Sequence, residues 1–216
     1  MASSQLAARL AAARLYVISA DASPEIQADV LREALDGGAD VVQLRNKVAA
    51  PADLFEAARL VAVHARARDA LFLVNDHLDL AIDAGADGVH LGQDDLSVEA
   101  ARSRWHGLVG RSAHSLDQAL EAQHQGADYL GVGPVYPTPT KPGRAAVGLE
   151  LIHTVAAAVL IPWFAIGGID SANLDDVLGA GASRVAVVRA VCEAREPAAA
   201  ARALRARLAQ PQAAPA

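Results

Sequence analysis

Cysteine is almost missing from this chain: Cys192 is the one thiol in 216 residues. A single thiol closes no intrachain disulfide and builds no zinc cluster, so a reducing, cytoplasmic setting fits, and Cys192 reads as a small apolar residue beside a late strand. Basic charge is also short. A net charge of -6 and a pI near 5.6 give no footprint for nucleic acid or for a membrane surface, so any phosphate chemistry needs local cations. Long apolar runs are absent from the first residues. "MASSQLAARLAAARLYVIS" carries scattered arginines and reads as a leading helix, neither a signal nor a membrane segment. No serine, cysteine or histidine set has the spacing of a nucleophile with its base and orienter, which argues against acyl transfer.

What is present is apolar bulk in a regular alternation. A hydrophobic content of 53% over 216 residues is enough for one sizeable core, and one domain over residues 1–216 is expected. Eight short β-branched runs recur, near residues 15–19, 40–45, 71–75, 88–92, 108–112, 128–133, 163–168 and 184–188. Between them lie alanine-rich segments with a proline or serine start, apolar residues at helical spacing and a glycine stop. Strands alternating with helices imply a parallel sheet, and eight units imply closure as a (β/α)8 TIM barrel of the α/β class. The joints "GGADVVQL", "AGADGVHL" and "QGADYLGV", with "AGASRVAV" as a variant, repeat one pattern: glycine for a left-handed helix stop, then a small residue and Asp leading into the strand. The barrel core is expected over about 14–196, a C-terminal helix over 197–210 and a frayed tail over 211–216.

Barrels of this kind carry function at the C-terminal ends of their strands, and here seven of the eight ends are polar. Asp76 follows the third strand and Asp95 the fourth, so neighbouring ends bring two carboxylates together; hard oxygen ligands with open positions suit Mg²⁺. The competing reading makes Asp76, and Asp94 or Asp95, N-caps of the helices that follow. Arg45 and Lys47, two apart at the second strand end, and Lys141 in the loop "GPVYPTPTKPG" (Gly133 to Gly143) supply cations; a surface pair is the alternative for the first two. Four prolines stiffen that loop, which aims Thr138, Thr140 and Lys141. After the seventh and eighth strands, "IGG" with Gly167 and Gly168, and "VVR" with Val188 and Arg189, suit a phosphate cradle, although Arg189 could instead pair with Glu193. Gln43 and Asn75 are amides suited to the edge of a heterocycle or to tying down a loop. Ser112 and His114 could bind ligand or cap a helix, with Ser115 the better N-cap.

"QLRNK", "VND", "HLGQDD", "GRSAHS", "GPVYPTPTKPG", "AIGGI" and "VAVV", in this order and spacing from about Leu15 to Glu196, resemble the thiamine-phosphate synthase family. The resemblance implies an enzyme joining hydroxymethylpyrimidine diphosphate to hydroxyethylthiazole phosphate, or its carboxylated form, with release of diphosphate. It implies that Gln43, Arg45, Lys47, Asn75, Ser112 and Lys141 hold the pyrimidine diphosphate. Asp76 and Asp95 would hold Mg²⁺, and Thr138, Thr140 and the backbone at Gly168 and Val188 the thiazole phosphate. Arg45, Lys47, Ser112 and Lys141 would be the catalytic set, in a dissociative reaction through a pyrimidine methylene cation. The implied partners are small molecules, not nucleic acid or membrane; a homo-oligomer is left open. Two positions depart from the family pattern: Asn46 stands where Glu is common, and Arg189 where many relatives have Ser. A thiazole tautomerase of the same fold, whose catalytic residue His114 resembles, and a non-catalytic phosphate-binding barrel are the alternatives.

Overall fold

The computed structural model describes residues 4–140 and 145–210. Eight parallel strands close into a barrel in sequence order, with β1 (Leu15–Ile18) hydrogen-bonded to both β2 (Val41–Leu44) and β8 (Val185–Val187). Between these run β3 (Leu71–Asn75), β4 (Gly88–Leu91), β5 (Leu108–Ala113), β6 (Tyr129–Val132) and β7 (Trp163–Ile166). The expected barrel and leading helix are both present. The outer layer comprises α2 (Pro24–Asp36), α3 (Phe55–Ala67), α4 (Leu78–Asp83), α5 (Val98–Arg104), α6 (Leu116–His124), α7 (Gly148–Ala158) and α8 (Leu174–Gly179). A short α9 (Arg189–Cys192) and a closing α10 (Pro197–Leu208) follow β8. The expected tail over 211–216 lies outside the described residues.

Strand alternation sorts the core into two layers. Leu15 and Val17 pack outward against the helices, while Tyr16 and Ile18 point inward with Leu73, Leu108, Tyr129 and Phe164. Glycine makes room for the large rings: a Cβ at Gly110 would lie 2.0 Å from Tyr129 Cζ. The leading helix α1 (Ser4–Ala12) packs Leu10 with this inner layer, and Arg9 ties it to the Ala70 carbonyl and to Asp87.

The repeated joint has a physical cause. Gly38, Gly85, Gly126 and Gly181 all have positive φ, as the expected helix stop requires. The Asp after three of them accepts from the first amides of the preceding strand. Asp40 Oδ2 takes Arg14 and Leu15 N–H at 2.8 and 2.9 Å, Asp87 Oδ2 takes Phe72 N–H at 2.9 Å, and Asp128 Oδ2 takes Val109 N–H at 2.7 Å. Each carboxylate also meets an arginine: Arg205, Arg9 and Arg102 respectively. Hydrogen bonds to a charged acceptor contribute about 1.5–3 kcal/mol each, so the repeat stitches the N-terminal rim of the barrel. The opposite rim is left to the loops that carry the site.

Candidate active site

The C-terminal mouth holds a cavity of about 380 Å³. Gln43, Arg45, Asn75 and Ser112 face it from the β2, β3 and β5 ends, and Thr138, Thr140, Gly168, Val188 and Arg189 from the β6, β7 and β8 ends. Lys47, Asp76 and Asp95 do not line it; they form a separate ionic cluster beginning one residue beyond Asn75. Lys141 lies outside the described residues.

In that cluster the Lys47 ammonium bonds to the Asp76 carboxylate, which also shares a hydrogen bond with Asp95. Asp76 adopts φ +60°, a left-handed conformation that Asp tolerates better than most residues. Its amide donates to the His90 carbonyl at 2.9 Å, which pins the β3 end to β4. The capping alternative fails for both acids. His77 takes the cap position of α4 with no side-chain bond, and the α5 cap is Ser97, whose hydroxyl accepts Ala100 N–H at 3.1 Å. Asp95 instead accepts from Gly92 N–H at 2.7 Å across a tight turn, whereas Asp94 is exposed.

Burial, followed by the hydrogen bond to Asp95, pushes Asp76 above the usual carboxylate range, and Lys47 only partly offsets this. Burial acts to raise Asp95 too, but the bond from Asp76, the Gly92 amide and the charges of Lys47 and Arg111 outweigh it and hold Asp95 low. One acid pushed up beside another held low is an oxygen pair that a divalent cation would neutralise. Among the described residues no three His, Cys, Asp or Glu side chains converge, so the protein offers two carboxylates and leaves positions open for other oxygens. That donor set fits Mg²⁺.

Arg45 is buried, and its NH1 reaches Asp21 at 3.1 Å, so the alternative of a surface pair with Lys47 does not hold. Its backbone is locked by Ser19 Oγ, which accepts Arg45 N–H at 2.9 Å and donates to the Arg45 carbonyl at 3.0 Å. Asn46 turns away from the cavity; its side chain bonds Ala22 O, Gln27 Oε1 and the amides of Val48 and Ala49, shaping the loop after β2. The departure at this position therefore concerns loop structure.

Beneath the cavity runs a buried polar chain. Asn75 Oδ1 accepts from Gln43 Nε2 at 2.9 Å, Gln43 Oε1 accepts from the Tyr16 hydroxyl, and Tyr16 meets the Tyr129 hydroxyl at 3.4 Å. Tyr129 meets His90 Nδ1 at 3.1 Å, and His90 Nε2 meets Ser112 Oγ at 3.0 Å. Sequence reasoning missed Tyr16, His90 and Tyr129, as well as Asp21 and Arg111. The signal for the first three is polar groups at inward positions of otherwise apolar strands.

On the far side, Gly167 and Gly168 have φ of +103° and +67°. A Cβ on Gly168 would lie 2.7 Å from Tyr136 Cβ, so the turn presses against the proline-rich loop, and Gly167 O accepts Tyr136 N–H at 3.0 Å. His114 lines the cavity with Nδ1 on the Gly133 carbonyl, at the base of the same loop, and Ser115 caps α6 as expected. Arg189 and Glu193 stand one helical turn apart at 4.0 Å, both lining the cavity and both exposed. Cys192 is half-buried, and burial pushes its thiol up to about 11, in keeping with a packing role.

A closed parallel barrel with an acid and lysine cluster at the β2, β3 and β4 ends and a glycine turn at the β7 end has the architecture of barrel enzymes, which carry their sites at this end of the strands. A family model described as thiamine monophosphate synthase matches residues 15–191, and the chain belongs to that family. It is 51% identical over 200 residues to thiamine-phosphate synthase of Thermus thermophilus, covering 90% of this chain and 97% of the relative. With thiamine-phosphate synthase of Saccharopolyspora erythraea it is 50% identical over 214 residues, covering 93% and 95%. The solved structure of thiamine phosphate pyrophosphorylase from Pyrococcus furiosus superposes with a TM-score of 0.84 at 37% identity, covering 94% and 97%.

Proposed function

We propose that this chain condenses hydroxymethylpyrimidine diphosphate with hydroxyethylthiazole phosphate, giving thiamine phosphate and free diphosphate, with Mg²⁺ held by Asp76 and Asp95. The observation that carries the reading is the Lys47, Asp76 and Asp95 cluster beside a cavity whose opposite wall is the Gly167 and Gly168 turn. One region suits a diphosphate and the other a monophosphate, across a single mouth.

When bound, Mg²⁺ supplies positive charge to the diphosphate oxygens and so assists their departure. Arg45 and Lys47 face the same leaving group, Arg45 by its planar fork and Lys47 as a point charge. Gln43 and Asn75 orient the pyrimidine ring, and Ser112 reaches the same ligand. Thr138, Thr140 and the backbone at Gly168 and Val188 hold the thiazole phosphate, with Arg189 adding a guanidinium contact. The carbon to oxygen bond of the pyrimidine methylene breaks with its electron pair leaving on diphosphate, and the thiazole nitrogen lone pair forms the new bond to that carbon. No side chain needs to carry a proton for this exchange. The protein positions the partners, excludes water and stabilises charge.

The test is an assay of the purified protein with each substrate alone, with both, and with both plus a chelator. Thiamine phosphate and diphosphate are expected in equal amounts only with both substrates and free Mg²⁺. Isomerisation of a thiazole phosphate without diphosphate release would instead establish the tautomerase alternative.

A further inference from the structure

Arg111 lies at the C-terminal end of β5, between Gly110 and Ser112, and is buried, with 9% exposure. A guanidinium is costly to place in such a position unless its donors are used. Here they are: NH1 donates to the Leu96 carbonyl at 2.8 Å and NH2 to the Gln93 carbonyl at 3.1 Å. These two carbonyls bracket Asp95. Burial acts to weaken the charge of Arg111, while Asp95 and then Asp94 act to preserve it, so both carboxylates are electrostatic neighbours. The turn is closed from inside as well, since Gly92 N–H donates to Asp95 Oδ2 at 2.7 Å and Gly92 O accepts Asp95 N–H at 3.3 Å.

We infer that Arg111 is a positioning residue for metal binding, clamping the turn after β4 so that Asp95 faces Asp76. The inference rests on the proposed role of Asp76 and Asp95 as the Mg²⁺ carboxylates. Arg111 reaches the turn from the neighbouring strand and is not among the residues lining the cavity. Its contribution is geometric: it fixes the backbone on both sides of one carboxylate, leaving one turn conformation where a short glycine-led loop would have several.

The test uses the full chain with Mn²⁺ as the reporter ion in the presence of inorganic diphosphate, reading free Mn²⁺ by its electron paramagnetic resonance signal. Arg111→Met keeps bulk and removes every donor. Outer-sphere partners of metal ligands typically change affinity by about 10–100-fold, and Arg111→Met is expected to weaken Mn²⁺ binding by about tenfold or more, with the KM for the thiazole phosphate unchanged. Arg111→Lys, which keeps the charge but cannot span both carbonyls, is expected to weaken binding as well, and it carries the test if Arg111→Met does not fold. Asp95→Asn separates the two ideas. If Asp95→Asn weakens Mn²⁺ binding while Arg111→Met and Arg111→Lys, or Arg111→Lys alone where Arg111→Met does not fold, match the parent, the inference about Arg111 fails and the metal site stands. If Asp95→Asn also matches the parent, the metal site fails and the inference falls with it.

Discussion

Gln43 donates from Nε2 to Asn75 Oδ1 at 2.9 Å, and this one bond orients two amides at once. Because the Tyr16 hydroxyl occupies Gln43 Oε1, Gln43 is committed to donate and Asn75 to accept, which leaves the Asn75 NH₂ group to face the cavity. Tyr16→Phe strands the Gln43 carbonyl in a dry floor. A buried acceptor without a partner costs about 1–3 kcal/mol, so the thermal midpoint should fall by several degrees. The KM for the pyrimidine diphosphate should rise while that for the thiazole phosphate holds; steady-state kinetics with each substrate varied in turn checks this.

Asp76 combines a left-handed backbone with a carboxyl raised above its usual range, two costs that a functional role would explain. Asp76→Gly removes both. Its melting temperature is expected at or above that of the parent, while diphosphate release falls by about 10²–10³-fold, the typical loss for one charge-stabilising contact in a dry site. A variant that is less stable and still active would separate the strain from the chemistry.

Metal binding should depend on pH through Asp76. In the metal-free protein, Asp76 titrates above its ordinary 3.8, first through burial and then through Asp95. Its stabilising contribution is full below 3.8 and is lost as pH rises through the raised folded value. Asp95 is shifted down, and its contribution runs the other way, present above 3.8 and lost as pH falls through its folded value. Mg²⁺ competes with the Asp76 proton, so it should bind more weakly as pH falls toward the raised value of Asp76. Calorimetric titration of Mg²⁺ at a series of pH values measures the weakening, and an affinity that stays constant as pH falls would contradict the competition.

Arg189 and Glu193 are exposed and 4.0 Å apart, a pair that contributes little to stability. Arg189→Ala should therefore melt like the parent and raise only the KM for the thiazole phosphate. An unchanged KM for that substrate would remove Arg189 from the phosphate site.

The barrel was legible because its cause repeats. Each Gly and Asp joint performs the same two tasks, ending a helix and receiving strand amides, so the pattern recurs at Asp40, Asp87 and Asp128. The strand-end groups were legible for a related reason: Gln43, Arg45, Asn75 and Ser112 are polar residues directly beyond or within apolar runs. Tyr16, His90 and Tyr129 were not, since in sequence an inward tyrosine cannot be told from a core aromatic until strand register brings their hydroxyls together. The left-handed turn at Asp76 was hidden as well, because Asp before a helix has the same appearance whether it caps or not. Ser97 settles the matter for α5 only once its hydroxyl is seen to accept Ala100 N–H.

The most direct measurement is anomalous diffraction from crystals grown with Mn²⁺ and inorganic diphosphate. One Mn²⁺ peak is expected between the carboxylates of Asp76 and Asp95, with diphosphate oxygens completing its shell and reaching Arg45. Diphosphate bound at the mouth with no metal between those two carboxylates would contradict the account.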